Sequence, residues 1–378
     1  MKKLTILALA AFVAFPAFAA GPVQFIATED ISYDDNIYLK PNTGEKRDSL
    51  ISTTRVGANY KGQLPGSDLK LTAGALVGYN AYTKEPSTNN YWDALGNVEL
   101  ANQQFKLGDR LLFTSDPANS SLTDRAKRMN NTGYVSYKTT NEKLFSVGLS
   151  VEDIFDRYFE ANMAYLNRNR INAGAQLYYN FNTKTNIFVE YMFSDIEYRD
   201  NSWNDSTGHR VGLGINGQIA PKVTGTAKVT YDMRDYSKDF AGADNTPHLF
   251  GYYAALTWKP SNRDTIRLSG ERKMEETLYG NNRYFADTMI ALYAQHKFNS
   301  KWAAGVTFGW EDMYYSRVVI GDAKRRRDNL YTVRPQLDYM FKDWLMGSVW
   351  YQYRTRQSNK DWADYENNKA GVSIKALF

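Results

Sequence analysis

Cysteine is absent from the 378-residue chain, so no disulfide can staple it, and a large core or a closed sheet must hold it together. Only three histidines occur, His209, His248 and His296, and neither an H-E-x-x-H pair nor a G-x-S-x-G elbow accompanies them. A hydrolytic site, which needs nucleophile, base and orienting group together, has little to be built from. Phosphate-binding loops and dinucleotide fingerprints are missing too, and Asp34-Asp35-Asn36 lacks the glycine and distal glutamate of a calcium loop. No catalytic residue, metal ligand or cofactor is expected. Net charge is +5, or +3 without Lys2 and Lys3, which makes no case for nucleic acid. Beyond the N-terminus no run approaches the ~18 consecutive apolar residues of a membrane helix. If this chain meets a bilayer, it must cross as strands.

What is present begins with a secretory pattern: Lys2 and Lys3, an apolar run from Leu4 to Phe15, then Ala17-Phe18-Ala19. That run is about a dozen residues, short of the ~20 of a spanning helix, so residues 1–19 read as a signal peptide cut after Ala19. The remaining 20–378 read as one domain. Aromatics make up 15% of the chain, with 28 Tyr, 19 Phe and 8 Trp, and amphipathic rings suit a membrane interface. A mean hydropathy of −0.55 fits strands that are polar on alternate positions.

Tight turns punctuate the chain at residues 64–67, 103–104, 140–142, 182–184, 220–222, 260–262, 299–301 and 342–343, about 40 residues apart. Longer polar stretches lie between them, such as 85–90, 116–127, 237–247 and 322–328. A propeller blade would split such a period among four short strands, whereas each half-period here holds one alternating run of about 9 to 15 residues. Residues 223–234 show the alternation best, with Thr, Lys, Asp and Arg on even positions. The expected fold is all-β: a transmembrane antiparallel up-and-down barrel of about 18 strands, or 16 if residues 91–114 or 151–165 contribute none. Its first strand runs near Val23 to Leu39 and its last near Ala363 to Phe378. Short turns would face the periplasm with both termini, and long loops would face outside, placing the protein in the cell outer membrane. The last strand puts Ala370, Val372, Ile374, Ala376 and Phe378 on one face, and a terminal Phe378 looks like the signal read by the barrel assembly machinery.

At this strand number the interior is too wide for side chains to fill. Charges expected on its lining are Lys70, Lys228, Asp232, Arg234, Arg267, Glu271, Lys273, Arg334, Asp338, Arg354, Arg356, Lys369 and Lys375. Bases outnumber acids among them, which either favours anionic solutes or simply solvates a wet interior. Tyr178, Tyr253, Tyr293, Tyr314, Tyr315, Tyr351 and Tyr353 suit a membrane girdle more than sugar stacking. Lys324, Arg325, Arg326 and Arg327 form the densest charge run. Three roles are open to it: binding lipopolysaccharide phosphates, folding inward as a constriction, or standing solvated. A second constriction candidate is 116–127.

The segment Tyr33-Asp34-Asp35-Asn36-Ile37-Tyr38, just inside the mature N-terminus of a Tyr- and Asn-rich chain with about 40-residue hairpins, resembles the putative β-barrel porin 2 family. The resemblance implies an outer-membrane porin-like channel. Several members are similar in setting to exopolysaccharide export systems, implying a glycan conduit with periplasmic export components as partners. Residue chemistry alone favours passive passage of polar or anionic solutes. A non-conducting structural or adhesin-like barrel is the alternative, and an outer-membrane hydrolase the weakest. Outer-membrane lipid and lipopolysaccharide are partners under any of these.

Overall fold

From Val223 to Tyr236 the alternation seen in the sequence becomes a 14-residue strand, with Val229 turned out to the surface while Thr230 and Asp232 are buried. The same device recurs along the chain. The computed structural model describes residues 22–378 except 42–43, 123–124, 141–142, 201, 240–241, 243, 278, 280–281 and 320, so the expected signal peptide lies outside the described residues. Strands β1 to β6 are Val23–Asp34, Ser49–Gln63, Lys70–Tyr82, Tyr91–Ala101, Phe105–Thr114 and Arg128–Lys138. Strands β7 to β12 are Phe145–Tyr158, Arg168–Asn180, Thr185–Tyr198, Ser206–Ala220, Val223–Tyr236 and His248–Trp258. Strands β13 to β18 are Asp264–Glu276, Tyr284–Lys297, Trp302–Tyr315, Arg327–Lys342, Leu345–Ser358 and Tyr365–Leu377.

Every strand pairs antiparallel with its sequence neighbours, and β1 pairs with β18 from Ile26↔Leu377 to Asp34↔Lys369, closing an 18-stranded sheet. Closure gives every strand a partner on both sides, the condition under which a β-structure can lie in hydrocarbon. Both regions that could have lowered the count to 16 are strands: 91–114 supplies β4 and β5, and β7 runs to Tyr158.

Nine connections of 6 to 14 residues, from 35–48 to 359–364, occupy one end of the barrel, and eight of 2 to 6 residues occupy the other together with both ends of the sheet. One of the two two-residue turns is Pro221-Lys222, where proline presets the bend and Lys222 takes a left-handed φ of 63°. Close to it, Gly225 at φ 149° is obligatory, because a Cβ there would fall 1.9 Å from the Ala255 carbonyl oxygen on β12.

Exposed aliphatics, among them Val56, Val77, Leu149, Leu177, Val189 and Leu213, share the outer face. Aromatic rings bound this band at both ends. Trp302–Tyr339 at 4.6 Å and Tyr339–Phe341 at 4.8 Å lie by the short turns, and Tyr79–Trp92 at 4.8 Å and Tyr231–Phe250 at 5.3 Å towards the long loops. Such paired girdles mark the two faces of a bilayer. Phe378 stacks on Trp344 at 5.5 Å, and its backbone exchanges hydrogen bonds with Phe25 across the β1–β18 seam.

β1 stops at Asp34, five residues before the expected Leu39, and the reason is the motif itself. The Asp34 carboxylate accepts the Asn36 N–H at 3.0 Å, an Asx turn that ends the strand. It also accepts the Asn367 amide at 2.6 Å, while Asp35 accepts the backbone N–H and side-chain amide of Asn368, both at 2.7 Å. Asn36 is wholly buried and its amide reaches the Glu366 carbonyl at 3.0 Å. Residues 33–38 therefore bolt the first strand to the last. β18 begins at Tyr365 instead of Ala363 because a 3-10 turn occupies Asp361–Ala363.

Candidate functional site

All thirteen charges expected on the lining fall on the strand face opposite the exposed aliphatic rows, as the pairing registers show. That this face is the inside follows from contacts between strands far apart in the ring. Such side chains can meet only across the hollow.

The first crossing is made by the loop of residues 115–127 between β5 and β6. Its base is fixed to its own wall: Asp116 accepts the Tyr91 hydroxyl at 2.9 Å, and Arg128 donates to the Asp116 carbonyl at 2.9 Å. Arg125 lies 4.8 Å over the ring of Tyr82. Burial opposes the Arg125 charge, yet the Tyr82 and Tyr91 phenols and Asp116 hold its pKa above the ordinary guanidinium value. The tip goes elsewhere. Ser120 donates to Glu311 on β15 at 2.8 Å, and Arg356 on β17 donates to the Ser120 carbonyl at 3.1 Å, with Arg354 at 3.5 Å from its hydroxyl. β15 stands nine strands on from β6, halfway round the ring of 18. The loop thus bridges the lumen.

A second crossing comes from β13 and β14. Pairing between β12 and β13 ends at Tyr252↔Arg272, but β13 continues to Glu276 alongside β14. Released from β12 on one side while β14 stays paired with β15 up to Phe285↔Tyr315, the ribbon brings Glu276, buried, against Arg168 at 2.7 Å and Arg170 at 2.5 Å on β8, and against Arg234 on β11. Three guanidinium groups around one carboxylate leave an excess of positive charge at the mouth, offset in part by Asp156, 3.0 Å from Arg168.

Several of the expected lining charges are neutralised in place. Lys228 pairs with Glu190 at 2.5 Å, Asp232 with Arg210, Arg234 with Glu276, and Lys273 with Glu271 at 3.2 Å. Asp338 accepts Gln336 and Ser348, each at 2.6 Å, and Lys369 stands 4.0 Å from Asp34. No ion pair among the described residues engages Lys70, Arg267, Arg334, Arg354, Arg356 or Lys375. Arg334 lies 4.2 Å over the Trp350 ring and Arg267 5.5 Å over Tyr293. Asp338, hydrogen-bonded only to neutral groups, is the one acid of the thirteen without an ion pair; the other six without one are basic, and four of those belong to β16, β17 and β18. On the adjoining β14 and β15, Asp287 and Glu311 are acids without an ion pair.

The basic run takes neither the lumen nor open solvent as a unit. Arg326 is enclosed by Tyr315 at 4.7 Å, Trp362 at 4.7 Å and Tyr279 at 4.8 Å, and its guanidinium meets the Asp328 carboxylate at 3.0 and 2.5 Å. Burial works against its charge, but the Asp328 hydrogen bonds keep its pKa raised. Arg325 and Arg327 lie over Tyr314, whose ring is on the outer face, and Arg327 pairs with Asp312 at 2.7 Å. Lys324 is exposed. Of the tyrosines, Tyr178, Tyr253 and Tyr293 face inward, Tyr315 is fully buried, and Tyr314, Tyr351 and Tyr353 face outward.

The histidines stay apart. His209 meets Tyr191 at 2.7 Å, His248 stacks on Tyr231 at 5.9 Å, and His296 meets Asp264 at 2.7 Å. Ser261 donates to that same aspartate. An aspartate between serine and histidine leaves the hydroxyl without a base, so the trio lacks the order that nucleophilic catalysis needs.

A closed 18-stranded barrel with a polar, bridged interior is the setting in which the family comparison is decisive: the profile of Putative beta-barrel porin 2 matches residues 27–378. The chain belongs to that family. Among solved structures, this porin-family barrel is similar to the outer membrane protein OpdK of Pseudomonas aeruginosa, with a TM-score of 0.52, 10% identity, and 94% and 99% of the two chains covered. It is also similar to OccAB4 of Acinetobacter baumannii, at 0.51, 12%, 94% and 98%. OccK8 (OprE) of P. aeruginosa gives 0.51, 11%, 95% and 100%. At such identity the likeness concerns the fold, that of an outer-membrane porin. No curated protein matches the sequence.

Proposed function

We propose that the protein is a passive pore for small polar solutes, favouring anions, with the loop of residues 115–127 as its constriction. The observation that carries this reading is the tether from Ser120 to Glu311 and Arg356 on the opposite wall. A polar, water-filled lumen conducts without moving parts, and a loop fixed at both ends narrows it without closing it. The unpaired cations Arg334, Arg354 and Arg356 provide the field for anions, focused by the low-dielectric wall. Asp287 and Glu311 break that field on one flank and keep the preference partial. One of the similar structures, OpdK, was solved with vanillate, a small carboxylate, at a TM-score of 0.50 and 10% identity. Polysaccharide export gains nothing from the comparisons, and a bridged lumen suits small solutes better than a continuous chain.

The test is the reversal potential of the protein in a planar bilayer under a salt gradient. The wild type is expected to favour chloride, and Arg334→Ala/Arg354→Ala/Arg356→Ala to lose that preference, most visibly at low salt where screening is weakest. Equal permeability of potassium and chloride in the wild type would sink the anion reading.

A further inference from the structure

On the outer face of β5 to β9 polar side chains gather at the long-loop end. On β7 the outward row runs Val147, Leu149 and Val151 and then turns polar at Asp153, with Phe155 and Arg157 beyond it. In register beside it stand Asn131 on β6, Asn169 on β8 and Glu197 on β9, where aliphatic residues occupy the same face lower down. Together they line a groove of about 610 Å³ at the long-loop end. Its floor is held by Asn131, which donates to Asp109 at 2.9 Å. Above it, the Arg199 guanidinium lies 5.8 Å over Phe155 and that of Arg157 5.4 Å over Phe159.

None of Asp153, Arg157, Glu197 and Arg199 has an ion-pair partner among the described residues, and the Oδ1 atom of Asn169 is buried with nothing to accept from. Unmet polar groups on a lipid-facing wall are costly unless a bound group satisfies them. Two cations set above several separate acceptors, over an aliphatic slope, match an amphiphile that carries phosphate and many hydroxyls.

We propose that this groove seats the phosphorylated sugar headgroup of a glycolipid. Its phosphate meets Arg157 and Arg199, its hydroxyls donate to Asp153, Asn169 and Glu197, and its acyl chains lie along Leu149, Val151 and Ala173. A phosphoethanolamine lipid offers a single ammonium to acceptors spread over three strands and fits less well.

The experiment uses the full chain in non-ionic detergent with diphosphorylated lipid A as probe, read by native mass spectrometry, and phosphatidylethanolamine as comparison. The wild type is expected to keep one lipid A per barrel. Arg157→Ala/Arg199→Ala should weaken binding at least about ten-fold, charge-assisted contacts to phosphate being the strong ones. Asn169→Leu should weaken it as well, while Arg325→Ala/Arg327→Ala, on another part of the rim, should not. Conductance serves as the control for folding and should be unchanged in all three. Wild-type affinity in both groove variants, equal retention of phosphatidylethanolamine, or loss of lipid A only in the Arg325/Arg327 pair would each overturn the proposal.

Discussion

Arg326 illustrates how far a charge run can be read from sequence. Its density announced a functional segment, but which of four neighbouring cations points inward depends on aromatic residues more than 30 positions away in either direction. Tyr279 and Trp362, each from another loop, make the cage, and Asp328 below them is fully buried. Removing the arginine strands that carboxylate. Arg326→Ala is therefore expected to cost about 3–5 kcal/mol, and Arg326→Ala/Asp328→Ala distinctly less, because the second change removes the uncompensated charge. Urea midpoints of the folded barrel in detergent micelles check both, and equal losses in the two variants would show that the ion pair is not what matters. At the same scale the strand face of each of the thirteen charges was legible because a period of two assigns a side to every residue of a strand. Glu311, Glu276, Arg168 and Arg170 were missed, and Ser120 lay within a candidate constriction segment without being singled out. Their roles arise from contacts across the hollow, which no local pattern encodes.

Among elements, the strands were the most legible and the loops the least. Alternation and turn residues gave a count of about eighteen, with sixteen as the alternative, and the structure has eighteen; the expected bounds ran too far at β1 and β18, where Asx chemistry and a 3-10 turn cut the pattern short. The inward lean of the β13–β14 ribbon had no such signal, since its residues keep alternating after they leave β12. Among the contacts that fasten the ribbon, Glu276 is the one that reaches β8 and β11. Glu276→Gln should weaken contacts to three arginines at once and leave them uncompensated, a loss of about 3–5 kcal/mol at the mouth. The released ribbon should also make single-channel current noisier. Glu271→Gln, facing the same lumen with one partner at 3.2 Å, is the control and should change stability little. If the two variants behave alike, the three-arginine hub is not a fastening point.

For the whole molecule, closure and width follow from strand number, and the existence of a wide polar interior was already implied by charges repeating on one face. Whether that interior is open, bridged or filled could not be read, because it depends on which long loop turns inward. Residues 116–127 and 322–328 were both candidates by composition, yet of the two the first supplies a tip, Ser120, that reaches the far wall, while the second is drawn into the Arg326 cage. The loop-side display of Ser87, Asp200 and Asn359 follows from the same topology, and tags inserted there should be reached by antibody on intact cells while a tag at Asn299 is not.

Single-channel conductance in a planar bilayer, compared between the wild type and a chain with residues 117–122 replaced by two glycines, bears most directly on the bridged pore. The wild type should give a steady, small conductance and the shortened chain one at least about two-fold larger, because the narrowest section of a passive pore sets its current. Equal conductance in both, or silence from both, would contradict it.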